Sequence, residues 1–160
     1  QSLNLQLKKR LPIFIKLSPD LSLRNIEEIL NAGENCAISG IIATNTTTSK
    51  ESLAEEYTLV LGGLSGKPLL QKSNKILEHI AKEKKKKTIL IGTGGIFSAD
   101  DLYEKIKLGA SAVQIYTAFI YQGPRLLTKL KKELESLILE DGYKNLNEAI
   151  GSRLKTKRES

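Results

Sequence analysis

Methionine and tryptophan are missing from this 160-residue chain, cysteine occurs once, and aromatic residues amount to 5%. A single thiol, Cys36, excludes a disulfide framework within the chain and suits a reducing compartment. Long apolar runs are missing too. The longest, Ile38 to Ala43 and Ile89 to Ile91, fall far short of the roughly 18 residues that span a bilayer, and no apolar stretch of the secretory type follows Gln1. These gaps predict a chain that crosses no membrane as a helix and carries no leader. The lack of any methionine, with Gln1 first, predicts a piece of something longer. What is present is ordinary globular material, 40% hydrophobic and 27% charged, unlike disordered or fibrous proteins. Lys and Arg number 25 against 18 Asp and Glu, a net charge of +7.

One pattern repeats four times. Four short, β-branched runs, Pro12 to Lys16, Ile38 to Thr44, Thr88 to Gly92 and Ala112 to Tyr116, predict parallel strands covered on both faces. A helical pattern follows each. Leu23, Ile26, Ile29 and Leu30 share a face, with Ser22 as N-cap and Gly33 as the stop. Ser73 to Lys82 aligns Ile76, Leu77 and Ile80. Ser98 with Asp101 three residues on predicts a capped helix ending at Gly109, and Pro124 opens one striped by Leu127, Leu130, Leu134, Leu137 and Ile138. Strand and helix alternate without a hairpin signal, so the fold class is α/β with a parallel sheet and right-handed crossovers. A complete (β/α)8 barrel takes about 250 residues. Four units can therefore be half of such a barrel or a small open sheet.

Polar clusters sit at the carboxyl ends of all four strands, which in parallel architectures open on one face. Lys16 ends the first, Thr44-Asn45-Thr46 the second, Gly92-Thr-Gly-Gly95 the third and Tyr116-Thr117 the fourth. Gly92, Gly94 and Gly95 let backbone N–H groups approach an anion, ahead of the helix capped by Ser98; the bland alternative is a tight turn without ligand. Tyr116 lies in a loop suited to phosphate, or else is a core aromatic. Lys16, after an apolar strand, is placed to stabilise a developing negative charge, although most lysines are simply solvated. Asn45 and Thr46 offer donors and acceptors to a planar amide-bearing ligand, or serve a turn. The loop Gly62-Gly-Leu-Ser-Gly66 with Lys67-Pro68 lies across a ligand, or is a linker.

Five strings in register, Ile15-Lys-Leu-Ser-Pro-Asp20, Ile42-Ala-Thr-Asn-Thr-Thr47, Gly62 to Pro68, Ile91-Gly-Thr-Gly-Gly-Ile96 and Gly109 to Thr117, resemble the carboxyl half of the dihydroorotate dehydrogenase family, in its quinone-using class 2 variety. The resemblance runs from about Pro12 to about Ser152. It implies the second half of a TIM barrel over residues 1–152, followed by a basic, frayed tail at 153–160. It implies FMN as cofactor and oxidation of dihydroorotate to orotate in pyrimidine synthesis, with quinone as acceptor through a region outside this chain. Lys16 resembles the lysine at the flavin pyrimidine edge, where negative charge gathers on reduction. Thr44 resembles a flavin contact, Asn45 and Thr46 the pair that holds orotate. Gly66, Gly95, Tyr116 and Thr117 are similar to positions that hold the FMN phosphate. For the full enzyme the resemblance implies a peripheral place on the cytoplasmic side of the inner membrane, and for this piece a soluble one.

The departures are as informative. The family's class 2 base, a serine, belongs to a loop upstream of Gln1, so no catalytic residue is assigned here. No substitute is found: Cys36 precedes the second strand, His79 sits mid-helix in an outer layer, and Ser65 has no partner base. Leu61 and Thr93 also depart from the pattern, at positions where backbone geometry carries the role. The run Lys82-Glu-Lys-Lys-Lys-Lys87, without interleaved aromatics, reads as a solvated turn and not a nucleic-acid site. Three hypotheses stand: part of a complete FMN oxidoreductase, an inactive remnant or split half able to pair with its missing partner, and a small basic ligand-binding module. A half barrel also exposes strand edges and one apolar sheet face, which predicts self-association of the isolated chain.

Overall fold

The computed structural model describes residues 11–50, 61–85 and 87–156. In chain order the elements are β1 (Phe14–Leu17), α1 (Leu23–Asn35), β2 (Gly40–Ala43), a 3-10 turn (Lys67–Leu69), α2 (Leu70–Glu83), β3 (Ile89–Thr93), α3 (Ala99–Lys107), β4 (Ala112–Gln114), α4 (Thr117–Gln122), α5 (Arg125–Glu140), α6 (Leu146–Ala149) and α7 (Ser152–Thr156). The strands form one parallel sheet in the order β1-β2-β3-β4. Each new strand joins beside the last, with no reversal of the kind that defines a doubly wound sheet. This is the α/β parallel sheet that the four units predict, in the order of the half barrel that the resemblance implies.

Register assigns every strand residue to a face. Ile15, Ile41 and Leu90 form one row, and Leu17, Ala43, Gly92 and Val113 the next. Both rows face the helices, where Leu17, Ile41, Ala43 and Leu90 are buried with Ile26, Leu30, Leu77, Ile80 and Ile106. Burying one such aliphatic side chain stabilises the fold by about 1.5–3 kcal/mol. The opposite, inner face carries the row Phe14, Gly40, Ile89, then Lys16, Ile42, Ile91, Ala112, then Thr93 and Gln114. Among the described residues it is largely bare: Ile89 is 44% exposed and Lys16, Ala112 and Gln114 are exposed as well, while Thr93 at the rim is buried. Among the described residues the strands are thus covered on one face, and the other is the bare sheet face expected of a half barrel. The covering on both faces that their unbroken apolarity suggests is not supplied by these residues. A chain of these 160 residues alone is expected to self-associate through this face. Sedimentation velocity checks this; a monomer that melts sharply by calorimetry contradicts it.

The caps decide where the helices begin. Ser22 accepts from the Asn25 N–H (3.2 Å) as expected, and Ser98 with Asp101 closes a full capping box. Gly33 does not stop α1, which runs on to Asn35; it is buried against Ile38, whose Cδ1 would lie 2.6 Å from an added Cβ. The loop after β4 is short, Ile115 and Tyr116 alone, since Thr117 begins α4, and Pro124 is the N-cap of α5 and not its first residue. The expected fraying from Arg153 gives way to α7, where Arg153 pairs with Glu104; residues 157–160 lie outside the described residues.

Candidate functional site

The four strand ends open on one cavity with about 570 Å³ of empty space, part of it open to solvent. Lys16, Thr44, Asn45, Thr46, Gly66, Gly95, Tyr116 and Thr117 all line it, together with Ser65, Thr93, Gly94 and Gln114. The residues given a cofactor or substrate role in the sequence therefore all meet there. Of the loop from Gly62 to Pro68 only Ser65 and Gly66 reach the cavity, and Gly92 does not. That glycine lies within β3 on the helix-facing row, where an added Cβ would sit 3.0 Å from Lys105 Cδ and 3.3 Å from Ala110 Cβ. It makes room for the helix layer and does not face the cavity.

The glycine turn is built against α2. Gly94 and Gly95 have φ of +100° and +79°, a region that L side chains rarely adopt. A Cβ at Gly95 would lie 2.5 Å from Leu70 Cα and 2.7 Å from Leu70 N. Among the described residues no group accepts from the N–H of Gly94, Gly95 or Ile96. The next two donors are already used: the Asp101 carboxylate takes the N–H of Phe97 (2.9 Å) and Ser98 (3.0 Å). The donors left available to an anion are therefore those of the turn. The helix N-terminus behind it, expected to contribute, is closed by its own capping box.

Lys16 projects from the inner face beside Ile42, and no carboxylate pairs with it among the described residues. Thr44 is buried and its hydroxyl donates to Asn45 O (3.0 Å). The Asn45 side-chain carbonyl accepts from the Thr46 N–H (2.9 Å), which is turn chemistry, and leaves its NH₂ as a donor. Tyr116 is 77% exposed, so it is no core aromatic. The Gly62–Gly66 segment is fastened at two points. Thr47 and Leu64 exchange backbone hydrogen bonds (3.1 and 2.7 Å), and Ser65 Oγ lies 3.0 Å from Thr117 Oγ1.

One contributor carried no local signal. Asp20, beyond β1, accepts from the hydroxyl of Thr47, from the Thr48 N–H (2.7 Å) and hydroxyl (3.0 Å), and from Lys72. Desolvation works against its charge, but Lys72 and the threonine donors outweigh it and hold the carboxyl well below the usual carboxylate range. The depressed value means that Asp20 stabilises the fold above about pH 4, the ordinary aspartate range, and that this contribution fades as pH falls towards the folded value. Asp20→Asn is expected to lower the melting temperature by a few degrees near neutral pH and by less below pH 4. Equal differences at both pH values in thermal denaturation would contradict the clamp.

The alternatives to a base stay where the sequence placed them. Cys36 is exposed at the end of α1, opposite the cavity. His79 lies in the helix layer, its Nε2 3.2 Å from Glu27 of α1. Of the basic run, Lys82 pairs with Glu78 (2.7 Å) and Lys85 with Glu34 (2.6 Å), so these charges are locally balanced; Lys86 lies outside the described residues. No helix among the described residues is long and apolar enough to cross a membrane.

A family model described as dihydroorotate dehydrogenase matches residues 3–138. A dihydroorotate dehydrogenase (quinone) of Helicobacter acinonychis is 46% identical over 145 residues, 90% of this chain and 40% of the relative. One from Cereibacter sphaeroides is 41% identical over 141 residues, 88% of this chain and 40% of the relative. A crystal structure of the Eimeria tenella protein in complex with ferulenol superposes with a TM-score of 0.84 at 37% identity, covering 92% of this chain and 39% of that one. The chain thus spans about two fifths of the length of the curated relatives it matches.

Proposed function

The chain belongs to the dihydroorotate dehydrogenase family, and from that premise we propose that it forms the flavin-phosphate side of an enzyme that oxidises dihydroorotate to orotate with FMN as cofactor and a quinone as acceptor. The observation that carries this reading is the meeting of an ammonium, an amide and a turn of unpaired N–H groups around one cavity. Those groups fit FMN: N–H donors and the Thr117 hydroxyl for its phosphate, an ammonium for the edge of its ring. FMN, when bound, accepts the hydride that dihydroorotate gives up.

The residues of this chain then have separable tasks. Gly66, Gly95, Tyr116 and Thr117 hold the phosphate, the glycines because a side chain at either would crowd the cavity wall. Lys16, exposed on the inner face beside Ile42, places positive charge at the rim, where a complementary half of the barrel would shield it from water and make it count for more. Thr44 backs the ring, and Asn45 and Thr46 direct their free donors at the carbonyl and carboxylate oxygens of the substrate. The proton acceptor belongs to a serine outside these residues; Ser65, the cavity serine among those described, faces only the Thr117 hydroxyl. The open inner face is where a complementary half of the barrel would pack. The quinone acceptor rests on the names of the relatives, and a peripheral membrane location for the full enzyme rests on the family resemblance alone.

Titration with FMN, followed by flavin fluorescence and visible absorption, tests the reading. Tight binding is expected from the protein, and loss of absorbance on adding dihydroorotate when the complementary half is present. No flavin effect, with a salt-sensitive response to oligonucleotides, would replace it with the basic binding module.

A further inference from the structure

Lys105 is wholly enclosed, at 0% exposure, and none of the tasks above uses it. From α3 its ammonium donates to Ser73 Oγ (2.8 Å) and Asn74 Oδ1 (2.7 Å), both on α2. Ser73 is itself fully buried. Because its oxygen accepts from the ammonium, its own proton is free to be shared between the carbonyls of Gly94 (3.0 Å) and Leu70 (2.9 Å). A charged donor at the head of such a chain strengthens the bonds that follow it. The Gly94–Gly95 peptide is trans, and in a planar trans peptide the C=O and N–H point in opposite directions. Holding the Gly94 carbonyl against α2 therefore aims the Gly95 N–H the other way.

We propose that Lys105 is a positioning residue: through Ser73 it pins the Gly94 carbonyl to the helix layer and so presents the Gly95 N–H to the phosphate of the flavin. This rests on the FMN reading, which supplies the phosphate. Gly92 fits this arrangement, since an added Cβ would press on the Lys105 stem at 3.0 and 3.3 Å. Burial pushes the Lys105 ammonium down to about 8, against the carboxylates of Asp101 and Glu104 on its own helix. It is still charged at pH 7, so positive charge stands behind the turn as well as beside it. From α2 the partners Ser73 and Asn74 are neutral, with Lys75 and Glu78 along the adjoining cleft; β3 offers only the Gly92 backbone.

FMN and riboflavin differ by the phosphate, so their relative affinities isolate this role. Ser73→Ala and Lys105→Met are each expected to weaken FMN about tenfold or more and riboflavin less than about twofold. In the parent protein the FMN-to-riboflavin affinity ratio should fall as pH rises through about 8. The phosphate, with its second pKa near 6, stays doubly charged there, so the break reports the protein; Lys105→Met should lack it. Ser73→Ala removes one buried oxygen and serves if Lys105→Met does not fold. Equal losses for both flavins, or none, overturn the positioning role and leave the FMN reading intact. A parent protein that binds neither flavin overturns both.

Discussion

Gly95→Ala is expected to abolish tight FMN binding. Two costs meet at this position. The backbone adopts φ +79°, which costs a residue with a Cβ roughly 1–2 kcal/mol. The added carbon would also lie 2.5 Å from Leu70 Cα, and backbone at the start of a helix cannot swing aside as a flexible side chain can. Together these amount to about 3 kcal/mol of stability. The turn can relieve the clash only by rotating the peptides whose N–H groups face the cavity, so affinity should fall more than a hundredfold. Gly142→Ala is the control. Its φ is +81°, but nothing lies within 4 Å of an added Cβ, so about 1 kcal/mol is lost and flavin affinity stays. Denaturant unfolding and fluorescence titration read both quantities. A Gly95→Ala protein that binds FMN within threefold of the parent would show that the phosphate lies elsewhere.

The second large effect is expected at Lys16. With the complementary half present, Lys16→Ala should slow the dihydroorotate-dependent loss of flavin absorbance by about 10² to 10³-fold, the usual cost of removing one preorganised charge from a forming anion. FMN affinity should change far less, because the phosphate contacts lie at the other strand ends. Lys16→Arg keeps the charge but brings a planar, bulkier head into a row shared with Ile42, Ile91 and Ala112, and should restore only part of the rate. Stopped-flow absorbance separates the two quantities. If Lys16→Ala lowers affinity and rate in parallel, the ammonium is a binding group and not a stabiliser of the reacting state.

The four strands were legible because β-branched runs bounded by glycine and polar residues leave little other choice, and Ser98 with Asp101 carries its cap in four consecutive residues. The rim was legible for a topological reason: in a parallel sheet, strand ends that follow one another in sequence must open on one side. The roles of the individual glycines were not. Gly92 and Gly94 stand two residues apart in one string, yet Gly92 serves the helix layer and Gly94 the turn. What separates them is that the strand ends at Thr93, after which alternation no longer assigns the face. The bare sheet face followed from the half-barrel reading and not from the strands themselves, because an unbroken apolar strand looks the same whether its second face is buried by this chain or left bare.

Local residue chemistry, read along the chain, was enough for the α/β class, the parallel strands and the candidate rim, since propensity, capping and chain connectivity act within a few residues of one another. Folding alone revealed the Asp20 clamp on Thr47 and Thr48, 27 and 28 residues away, and the line from Lys105 through Ser73 to Gly94. A lysine in a helix looks solvated until its environment is known. Its burial depends on which helix lies opposite and whether that helix brings a hydroxyl and an amide to meet it, and those are distances in space that no spacing in sequence encodes.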